Sequence, residues 1–598
     1  MLSYWSHEQE VEYVPPAPAG FMWPFQCEEW RNGQLEGVSR EDAPVLRARL
    51  DELDKTDGYI LANAWLSSVV ERYQLLNKIS IMRPVVAKEV NRLAAEDCDE
   101  VAMDWLRQVV KRLHFCDQVI TELDGEALHK WAEQRRFKFE STLYRVFMDE
   151  GSDAMRRWVR SNLNDVGVEF DCWGDNDKTA AMIARMITPE WWVRQAKKQW
   201  IVVEQVLREC GQVERFKSPY LSNWALNKAE KQRANNAAFL EGWEAVNDLG
   251  QAFTLAQLSE KGVSDPDNRF AEMIVRAKGL EEISQENGHD GWFLTLTAPS
   301  KYHPISGGRR NKKFWRGGCP SVRQTHLYML KVWAKFRSWC KRSGIPFYGL
   351  RTVEPHHDGC PHWHLMLWVH PDHSDAFLKA FSHYALQEDG NEAGAKKYRV
   401  EVKKIDPAKG SAVGYIVKYI SKNIHGKHVD TDHETGRSGT DAANRIVGWA
   451  RMNRIRQFQF LGGASVTVWR ELRRLGKDKA PKSFADIYHA ANRADYGGFV
   501  KLMGGVFAGN DQILKTYYSD EVENQYGEMV KTVKGVARGI EVLITRLHEW
   551  TIQRKGTGSL EDGEAVPWTR VNNCTGPSFG RNYKPTKYGG GGANVSTG

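Results

Sequence analysis

The chain has 598 residues, of which 83 are Lys or Arg and 76 are Asp or Glu, so its formal net charge at pH 7 is +7. This length allows several domains with a core each, and the mild charge predicts local basic patches for any contact with nucleic acid. The nine cysteines, an odd number without a Cys-x-x-Cys pair, suit a reducing cytosol. The start of the chain lacks the apolar segment of a signal peptide and no run of 18 apolar residues occurs, which predicts neither secretion nor a membrane span.

Residues 1–285 are expected to be mostly helical, because apolar residues recur at intervals of three and four with charges between them. Helices are predicted over 40–53, 63–78, 99–113, 126–148 and 190–209. The last of these begins at Thr188-Pro189 and carries one apolar stripe, which is Trp192, Ala196, Trp200, Val203 and Leu207. We expect the stripe to face a core, although a basic helix rich in tryptophan can also stack on single-stranded bases.

Residues 286–475 are predicted to form an α+β domain. The predicted strands are 292–297, 347–354, 362–369 and a short one around 398–403. The predicted helices are 322–342, 374–386 and 411–423. In this layout an antiparallel sheet can be backed by helices on one side.

A glycine- and cation-rich loop is predicted over 305–320. Its basic residues are Arg309, Arg310, Lys312, Lys313 and Arg316. Such a run is either a solvated loop or, next to a site that cuts nucleic acid, a clamp for phosphate groups. The sequence leaves both interpretations open.

Two histidines, His362 and His364, stand two residues apart in a predicted strand. Side chains at i and i+2 leave the same face of a strand, so the two imidazoles are expected side by side, about 6–7 Å apart along the backbone. An Asp-Gly turn signal predicts a hairpin that returns Glu354 to their neighbourhood. Two imidazoles and one carboxylate leave open positions on a metal ion, as a catalytic site requires.

Two alternatives stay open for this segment. The histidines can be ordinary half-buried strand residues, and His356 and His357 compete with Glu354 for the place of the third ligand because they lie in the same turn. Histidine ligation admits Mn²⁺ as well as Mg²⁺, which is the usual physiological cation of phosphate chemistry. The expected cofactor is therefore a divalent cation, Mg²⁺ or Mn²⁺.

A second motif lies in the predicted helix 411–423, which Ser411 opens as N-cap. Two phenols and two ammonium groups share one helix face there, at i, i+3, i+4 and i+7. They belong to Tyr415, Lys418, Tyr419 and Lys422. A phenol with a pKa near 10 becomes a nucleophile when a Lewis acid acts on the electrophile or a cation favours the phenolate. Phenol and metal together predict attack on a phosphodiester, and the simpler alternative is a partly buried tyrosine pair with solvated lysines.

Residues 476–585 are expected to form a helical region with helices over 483–507 and 512–549, and 586–598 is expected to be a disordered tail. No G-x-x-x-x-G-K-[ST] segment occurs, so the sequence has no phosphate loop of this kind for ATP. If the chain acts on duplex DNA, strand separation is therefore expected to come from a partner helicase, together with a single-strand-binding protein.

These motifs resemble those of a known family. His362-Trp363-His364 is similar to the paired-histidine motif of the HUH endonucleases, and Tyr415-x-x-x-Tyr419 is similar to the two-tyrosine motif of their rolling-circle replication initiators. Segment 293–303 resembles the first strand motif of that class, and the three motifs stand in the same order. Segment 454–474 resembles the phage replication gene A protein family, so the resemblance covers about 290–475.

The resemblance implies a five-stranded, RRM-like HUH sheet with the metal on its open face and the tyrosine helix across it. It implies a metal-dependent endonuclease and ligase that nicks a phage origin, on single-stranded or supercoiled DNA, through a 5′-phosphotyrosine. Such an enzyme begins and ends rolling-circle replication in the cytoplasm of the bacterial host. The implied catalytic residues are Tyr415, Tyr419, Lys418 and Lys422, and the implied metal ligands are His362, His364 and Glu354. The alternatives are a one-tyrosine HUH relaxase or transposase and a non-catalytic origin-binding protein with a structural metal.

Overall fold

The computed structural model describes residues 24–79, 82–113, 122–406, 408, 410–475, 480–556 and 566–567. These described residues fall into two compact units. The first takes its residues from Met1–Lys228, Gly288–Leu461 and Gln525–Glu528, and the second from Ala229–Asn287, Gly462–Asn524 and Met529–Gly598. The predicted disordered tail, 586–598, lies outside the described residues. Among the helices described, none combines the length and the apolar character needed to cross a membrane.

The amino-terminal part of the first unit is built from helices, as the spacing of its apolar residues predicts. Their bounds are Pro24–Leu35, Ala43–Thr56, Tyr59–Asn77, Arg83–Glu96, Asp99–Arg112, Gly125–Asp165, Asn176–Met186 and Pro189–Glu209. The last helix begins after Thr188 with proline in its first turn. Its tryptophan stripe is buried, including Trp192 and Trp200, so the interpretation of the stripe as a core face is confirmed.

The first unit also contains a five-stranded sheet. Its strands are β1 (Asp290–Thr297), β2 (Phe347–Pro355), β3 (Pro361–Val369), β4 (Val400–Lys404) and β5 (Phe458–Leu461). They are arranged in the order β4-β1-β3-β2-β5, and each neighbouring pair is antiparallel. The α+β class, the antiparallel sheet and the hairpin of β2 and β3 agree with the expectation from the sequence.

One face of this sheet is covered by helices Val322–Arg342 and Ser374–Ala385. Alternate residues of β3 enter the core beneath these helices, namely Trp363, Leu365, Leu367 and Val369. Because side chains alternate along a strand, His362 and His364 leave by the other face. The helices Ala395–Tyr398, Ala412–Lys422 and Gly439–Met452 complete this part of the unit.

The segment 305–320, expected to be a loop, contains regular structure. Ile305–Ser306 pairs with Arg309–Arg310, and Lys312–Arg316 forms a short helix. The expectation of a loop throughout is therefore wrong. The two glycines between the paired strands adopt positive φ angles of 57° and 76°, which close a two-residue hairpin turn.

The second unit combines helices with small antiparallel sheets. Its helices are Leu255–Glu260, Pro266–Glu286, Val466–Arg473, Ala485–Asn492 and Tyr496–Leu502, and Asn223–Gly242 contributes residues to both units. One sheet contains the strands Trp243–Asn247, Ala252–Thr254, Trp550–Arg554 and Val566–Pro567. A second contains Lys515–Tyr518, Val533–Arg538 and Glu541–Ile544, and a third pairs Val522–Glu523 with Met529–Val530.

The prediction of a helical carboxyl-terminal region is wrong for 512–549, which contains strands. Its apolar residues come in short runs of β-branched and aromatic side chains, such as Thr516-Tyr517-Tyr518, and such runs favour strands. Gly539, with a positive φ of 59°, connects two of the strands in a tight turn. The helical prediction holds for the two helices within 483–507, and the domain boundaries stay predictions.

Candidate active site

The two histidines of β3 lie on the face of the sheet that the long helices leave uncovered. His362 stands opposite Thr297 of β1 and Glu354 of β2, so all three side chains leave the same face. The centres of the His362 and His364 rings are 4.5 Å apart. The Oγ1 atom of Thr297 lies 2.9 Å from Nδ1 of His362, which fixes this ring and leaves its Nε2 for another partner.

Both imidazoles are held in their neutral form. Burial lowers the pKa of His362 well below its ordinary value and that of His364 to about 3, and the neighbouring His356 lowers both further. A neutral imidazole is the form that binds a metal ion. The pair is therefore ready to accept a cation at neutral pH without first losing a proton.

Glu354 lies in the site, as the hairpin predicts, but its carboxylate already has partners. The side chain is 4% exposed. Its Oε1 accepts a hydrogen bond of 2.6 Å from Nδ2 of Asn423, and its Oε2 lies 3.8 Å from Nζ of Lys422. Burial raises the pKa of Glu354 to about 7, and Lys422 opposes this shift. Glu354 therefore joins the sheet to the end of the tyrosine helix.

His356 is the turn histidine that approaches the pair. Its ring centre is 4.3 Å from that of His362, and its buried Nε2 has no hydrogen-bond partner among the described residues. Its Nδ1 lies 3.7 Å from Oε1 of Glu434. His357 is placed differently, because both its backbone N–H and its Nδ1 contact Glu434, at 2.9 and 3.2 Å.

The tyrosine helix, Ala412–Lys422, begins as predicted, with Oγ of Ser411 accepting from the backbone N–H of Gly414. The ring of Tyr419 lies 4.2 Å from that of His364, between ring centres. Tyr415 lies further along the helix, 5.0 Å from the ring of Phe293, and is 43% exposed. The structure thus brings one predicted tyrosine against the histidine pair and leaves the other closer to solvent.

The environments of the two phenols differ in charge as well. Burial raises the pKa of the Tyr419 phenol above its usual range. The Nζ atom of Lys418 is exposed and lies 5.4 Å from the centre of each tyrosine ring. Lys418 is therefore the lysine of this helix that can stabilise negative charge on either phenol.

Lys422 is buried among oxygen atoms. Its Nζ lies 2.9 Å from Oδ1 of Asp432 and donates a hydrogen bond of 3.2 Å to Oη of Tyr220. Burial lowers the pKa of Lys422, but Glu354 and Asp432 outweigh burial and raise it overall. The predicted pair of lysines therefore separates into one exposed ammonium group and one that is held inside a charge network.

The sequence analysis missed three members of this network, Tyr220, Asp432 and Glu434. Oη of Tyr220 donates to Oδ2 of Asp432 at 2.5 Å and lies 3.2 Å from Oε2 of Glu434. The acidic run Asp430-Thr431-Asp432-His433-Glu434 just after the tyrosine helix is the one signal that the sequence offers. Nothing in the sequence links Tyr220 to it, because 212 residues separate Tyr220 from Asp432.

The predicted basic residues of 305–320 divide into two groups. Nη2 of Arg310 is 2.8 Å from Oε2 of the buried Glu89, and Nζ of Lys313 is 2.7 Å from Oε1 of Glu392. These two side chains have structural partners. The others are exposed and form no ion pair among the described residues, namely Arg309, Lys312 and Arg316. Only these three are available to a phosphate group.

A tight group of possible ligand atoms lies at the turn between β2 and β3. They belong to Asp358 and Cys360 of the turn and to His303, which follows β1, and they are within 4.8 Å of one another. Nδ1 of His303 is 2.9 Å from Oδ2 of Asp358, and Oδ1 accepts from the backbone N–H of Cys360. The buried Arg208 donates to the Asp358 carbonyl oxygen at 2.8 Å, which brings a positive charge beside the group. We interpret these contacts as the bracing of the turn that carries His356.

Known proteins share this part of the chain. Residues 173–427, which include β1 to β4 and the tyrosine helix, match the family model described as bacteriophage replication gene A protein. A probable replication protein of Pseudoalteromonas phage PM2 is 38% identical over 414 residues, which are 67% of this chain and 63% of the relative. The replication gene A protein of Escherichia phage 186 is 35% identical over 465 residues, 73% of this chain and 65% of the relative. A probable replication endonuclease from a prophage-like region of Salmonella paratyphi A is 32% identical over 423 residues, 66% of this chain and 52% of the relative.

No solved structure matches the chain at a significant level. Four of the five strands of the sheet, the histidine pair and the tyrosine pair nevertheless lie within the segment that matches the model of phage replication proteins. Over residues 173–427 the chain is similar to the phage replication gene A protein family, and two of its relatives carry that name. It spans 63%, 65% and 52% of the lengths of the three relatives described.

Proposed function

We propose that this protein is an HUH-type replication endonuclease that nicks one DNA strand at a phage origin and rejoins it through a 5′-phosphotyrosine. The observation that carries the proposal is the 4.2 Å contact between the rings of Tyr419 and His364. It brings a nucleophile beside two neutral imidazoles on an uncovered sheet face. Two relatives, which are named as a replication gene A protein and a probable replication endonuclease, support the same activity.

The chemistry of the donor set fits a divalent cation, for which we propose Mg²⁺ or Mn²⁺. His362 and His364 are neutral and adjacent, and the buried Nε2 of His356 has no partner among the described residues. We propose His362, His364 and His356 as the ligands, with Glu354 as the alternative to His356. When bound, the cation would polarise the scissile phosphodiester.

The protein side chains supply the rest of the reaction. The tyrosine Oη forms a bond to phosphorus, the bond between phosphorus and the 3′ oxygen breaks, the phenol loses its proton and the 3′ oxygen gains one. Lys418 stabilises charge on the phenol, since its Nζ lies 5.4 Å from each ring centre. Lys422 is enclosed by Asp432 and Glu354, and in our proposal it positions the helix.

The ester bond is conserved in the phosphotyrosine, so the reaction can be reversed. The freed 3′-OH primes synthesis, the second tyrosine cleaves the remade origin, and the new 3′-OH attacks the first phosphotyrosine to release a circle. We propose that the reaction takes place in the cytoplasm of a bacterial host on single-stranded or supercoiled origin DNA. A host helicase and a single-strand-binding protein would separate the strands.

The test is the trapping of the covalent intermediate. The protein is incubated with an end-labelled single strand carrying the phage origin and with Mg²⁺ or Mn²⁺, then denatured, and the DNA-linked peptide is identified by mass spectrometry. We expect a metal-dependent adduct on Tyr415 or Tyr419, absent with EDTA and in His362→Ala. His357→Ala is the matched control and should keep the adduct. Tight binding without any adduct would contradict the catalytic proposal.

The unequal placement of the two tyrosines favours a second candidate, a one-tyrosine HUH enzyme. Only Tyr419 touches the histidine pair, while Tyr415 is 43% exposed. Separate Tyr415→Phe and Tyr419→Phe variants distinguish the two candidates. A complete cycle of cleavage and rejoining in Tyr415→Phe would support the one-tyrosine enzyme, and loss of rejoining alone would support the two-tyrosine initiator.

A further inference from the structure

A buried arginine lies on the helix-covered face of the sheet, away from the tyrosines. Arg351 of β2 is 2% exposed, and its guanidinium stands 4.2 Å above the centre of the Trp363 ring. Its Nε and Nη1 have no hydrogen-bond acceptor among the described residues. A buried charge without a hydrogen-bond acceptor is destabilising, and a close aromatic ring recovers only part of that free energy. A purely structural role therefore does not account for Arg351, because its burial destabilises the folded protein.

Other arginines surround this position without neutralising it. Arg337 is exposed on the helix Val322–Arg342, and Arg456 is exposed just before β5, with its Nε donating to the Phe458 carbonyl oxygen at 3.1 Å. In the part of the chain that the structure describes, neither forms an ion pair with a carboxylate. Burial, then Arg456 and Arg337, lower the pKa of Arg351 to about 10. Arg456 and Arg337 thus repel the charge of Arg351, and an anion would relieve that repulsion.

We propose that Arg337, Arg456 and Arg351 form a site for a DNA backbone phosphate at the β2–β5 edge of the sheet. Arg337 and Arg456 contact the phosphate from the surface, and Arg351 supplies an unneutralised charge beneath it, where a low dielectric strengthens the attraction. The planar guanidinium group suits phosphate oxygens better than a lysine does. The choice of DNA as the source of the phosphate rests on the proposed function.

The location relates this site to the candidate active site. Arg351 lies three residues before Glu354 on the same strand, about 10 Å along the backbone, with its side chain on the opposite face. β5, which pairs with β2 there, is a four-residue strand at the edge of the sheet. A strand held at this edge would pass from the arginine site to the tyrosine face. Backbone contacts of this kind fix position and carry no sequence preference.

The test compares DNA binding by the full chain and by the double variant Arg337→Gln/Arg456→Gln, in EDTA to prevent cleavage. The probe is a fluorescent single-stranded oligonucleotide of unrelated sequence, titrated over a range of salt concentrations. Loss of the contacts to this one phosphate should reduce the slope of log K against log salt by about 0.7 and weaken binding roughly fivefold at about 0.1 M salt. The control Lys341→Gln/Arg342→Gln makes the same change of charge in the last turn of the same helix, about one turn beyond Arg337, and should bind as the wild type does.

Arg351→Met separates a binding role from a structural one. If Arg351 is kept for phosphate, this variant should unfold at the same or a higher temperature and still bind DNA more weakly. A lower unfolding temperature with unchanged affinity would overturn its part in the site. Equal slopes for the wild type and the first double variant, or equal losses in both double variants, would overturn the proposal as a whole.

Two further measurements show whether the phosphate belongs to DNA or is a free anion, and whether the proposed nicking reaction takes place. Stabilisation of the wild type by millimolar inorganic phosphate, lost in Arg351→Met and accompanied by unchanged DNA affinity in all variants, would show a free-anion site and overturn the assignment to DNA. The adduct assay is run on the same preparations. If an adduct forms but the binding slopes of the variants are unchanged, the arginine site is refuted and the proposed nicking reaction stands. If the slope changes as expected but no adduct forms, the arginine site is supported and the proposed nicking reaction is refuted.

Discussion

Replacement of His356 by alanine tests which side chain completes the candidate metal site. The ring of His356 lies 4.3 Å from that of His362, and its Nε2 is buried without a partner among the described residues. Glu354, the ligand that the hairpin spacing suggests, already accepts from Asn423 and faces Lys422. We therefore expect His356→Ala to weaken the binding of Mn²⁺ more than Glu354→Gln does.

The size of the difference follows from the contacts. Removal of a group that only supports a ligand lowers metal affinity about 10- to 100-fold. Loss of a ligand should exceed that range, so His356→Ala should cost more than about 100-fold, which is more than about 2.7 kcal/mol. Glu354→Gln keeps an oxygen for the 2.6 Å contact from Asn423 and removes a charge near the ligands, so we expect about tenfold.

The assay is a titration of the metal-free protein with Mn²⁺, in which the free ion is followed by electron paramagnetic resonance. His357→Ala is the matched control, because it deletes the adjacent imidazole, whose Nδ1 lies 3.2 Å from Glu434. It should stay within about threefold of the wild type, since it removes neither a ligand nor its direct support. A loss of more than about 100-fold in Glu354→Gln with little change in His356→Ala would refute the reasoning and restore the carboxylate as third ligand.

Three more outcomes follow from the structure. Tyr419→Phe should abolish the first nick and Tyr415→Phe should leave it measurable, because the ring centres of Tyr419 and His364 are 4.2 Å apart. Equal losses of the first nick in a single-turnover adduct assay would contradict this. Phe336→Ala should lower the free energy of unfolding in urea by about 3–5 kcal/mol, since it opens a cavity in the core beneath the sheet, and a loss under about 1 kcal/mol would argue against that core. Burial raises the pKa of Glu204 from 4.5 to about 7 in the folded protein. The protonated Glu204 therefore stabilises the folded protein fully below about pH 4.5, and this stabilisation is lost as the pH rises through about 7. Glu204→Gln should remove up to about 3 kcal/mol of the difference in unfolding free energy between about pH 5 and pH 8, and identical pH profiles would contradict the shift.

Local patterns in the sequence predicted the placement of the main elements well. The period of two in β3 predicts that His362 and His364 share a face, and the turn signal predicts a hairpin, in which Glu354 is found opposite His362. The Ser411 cap and the spacing of the apolar residues place the tyrosine helix to within one residue at each end. In these cases the structure depends on interactions between residues close in sequence, which a single chain reveals.

The rest depends on contacts between distant segments. Lys422 was expected among the catalytic residues, and its burial between Asp432 and Tyr220 follows from the path of the chain after the helix and from a residue 202 positions upstream. Arg351 looks like an ordinary strand residue in the sequence, because only the packing of Val322–Arg342 determines that it is buried. The strands within 512–549 were missed because periodicity alone does not distinguish a short apolar run in a strand from one in a helix, although the β-branched and aromatic residues of these runs favour strands.

The network around Lys422 holds the two tyrosines in place unequally. Asn423 donates to Glu354 and its own Oδ1 accepts from Gln457, while Lys422 faces Asp432, so the carboxyl-terminal end of the helix is tied to the sheet and to the following loop. Tyr419 is less than one turn from this anchored end, about 5 Å, and Tyr415 is about 6 Å further on. A tilt of the helix about its anchored carboxyl-terminal end therefore displaces Tyr415 more than Tyr419. The anchored end holds the Tyr419 phenol against the histidines, and in our proposal the exposed Tyr415 phenol is the one that meets a second, later substrate strand.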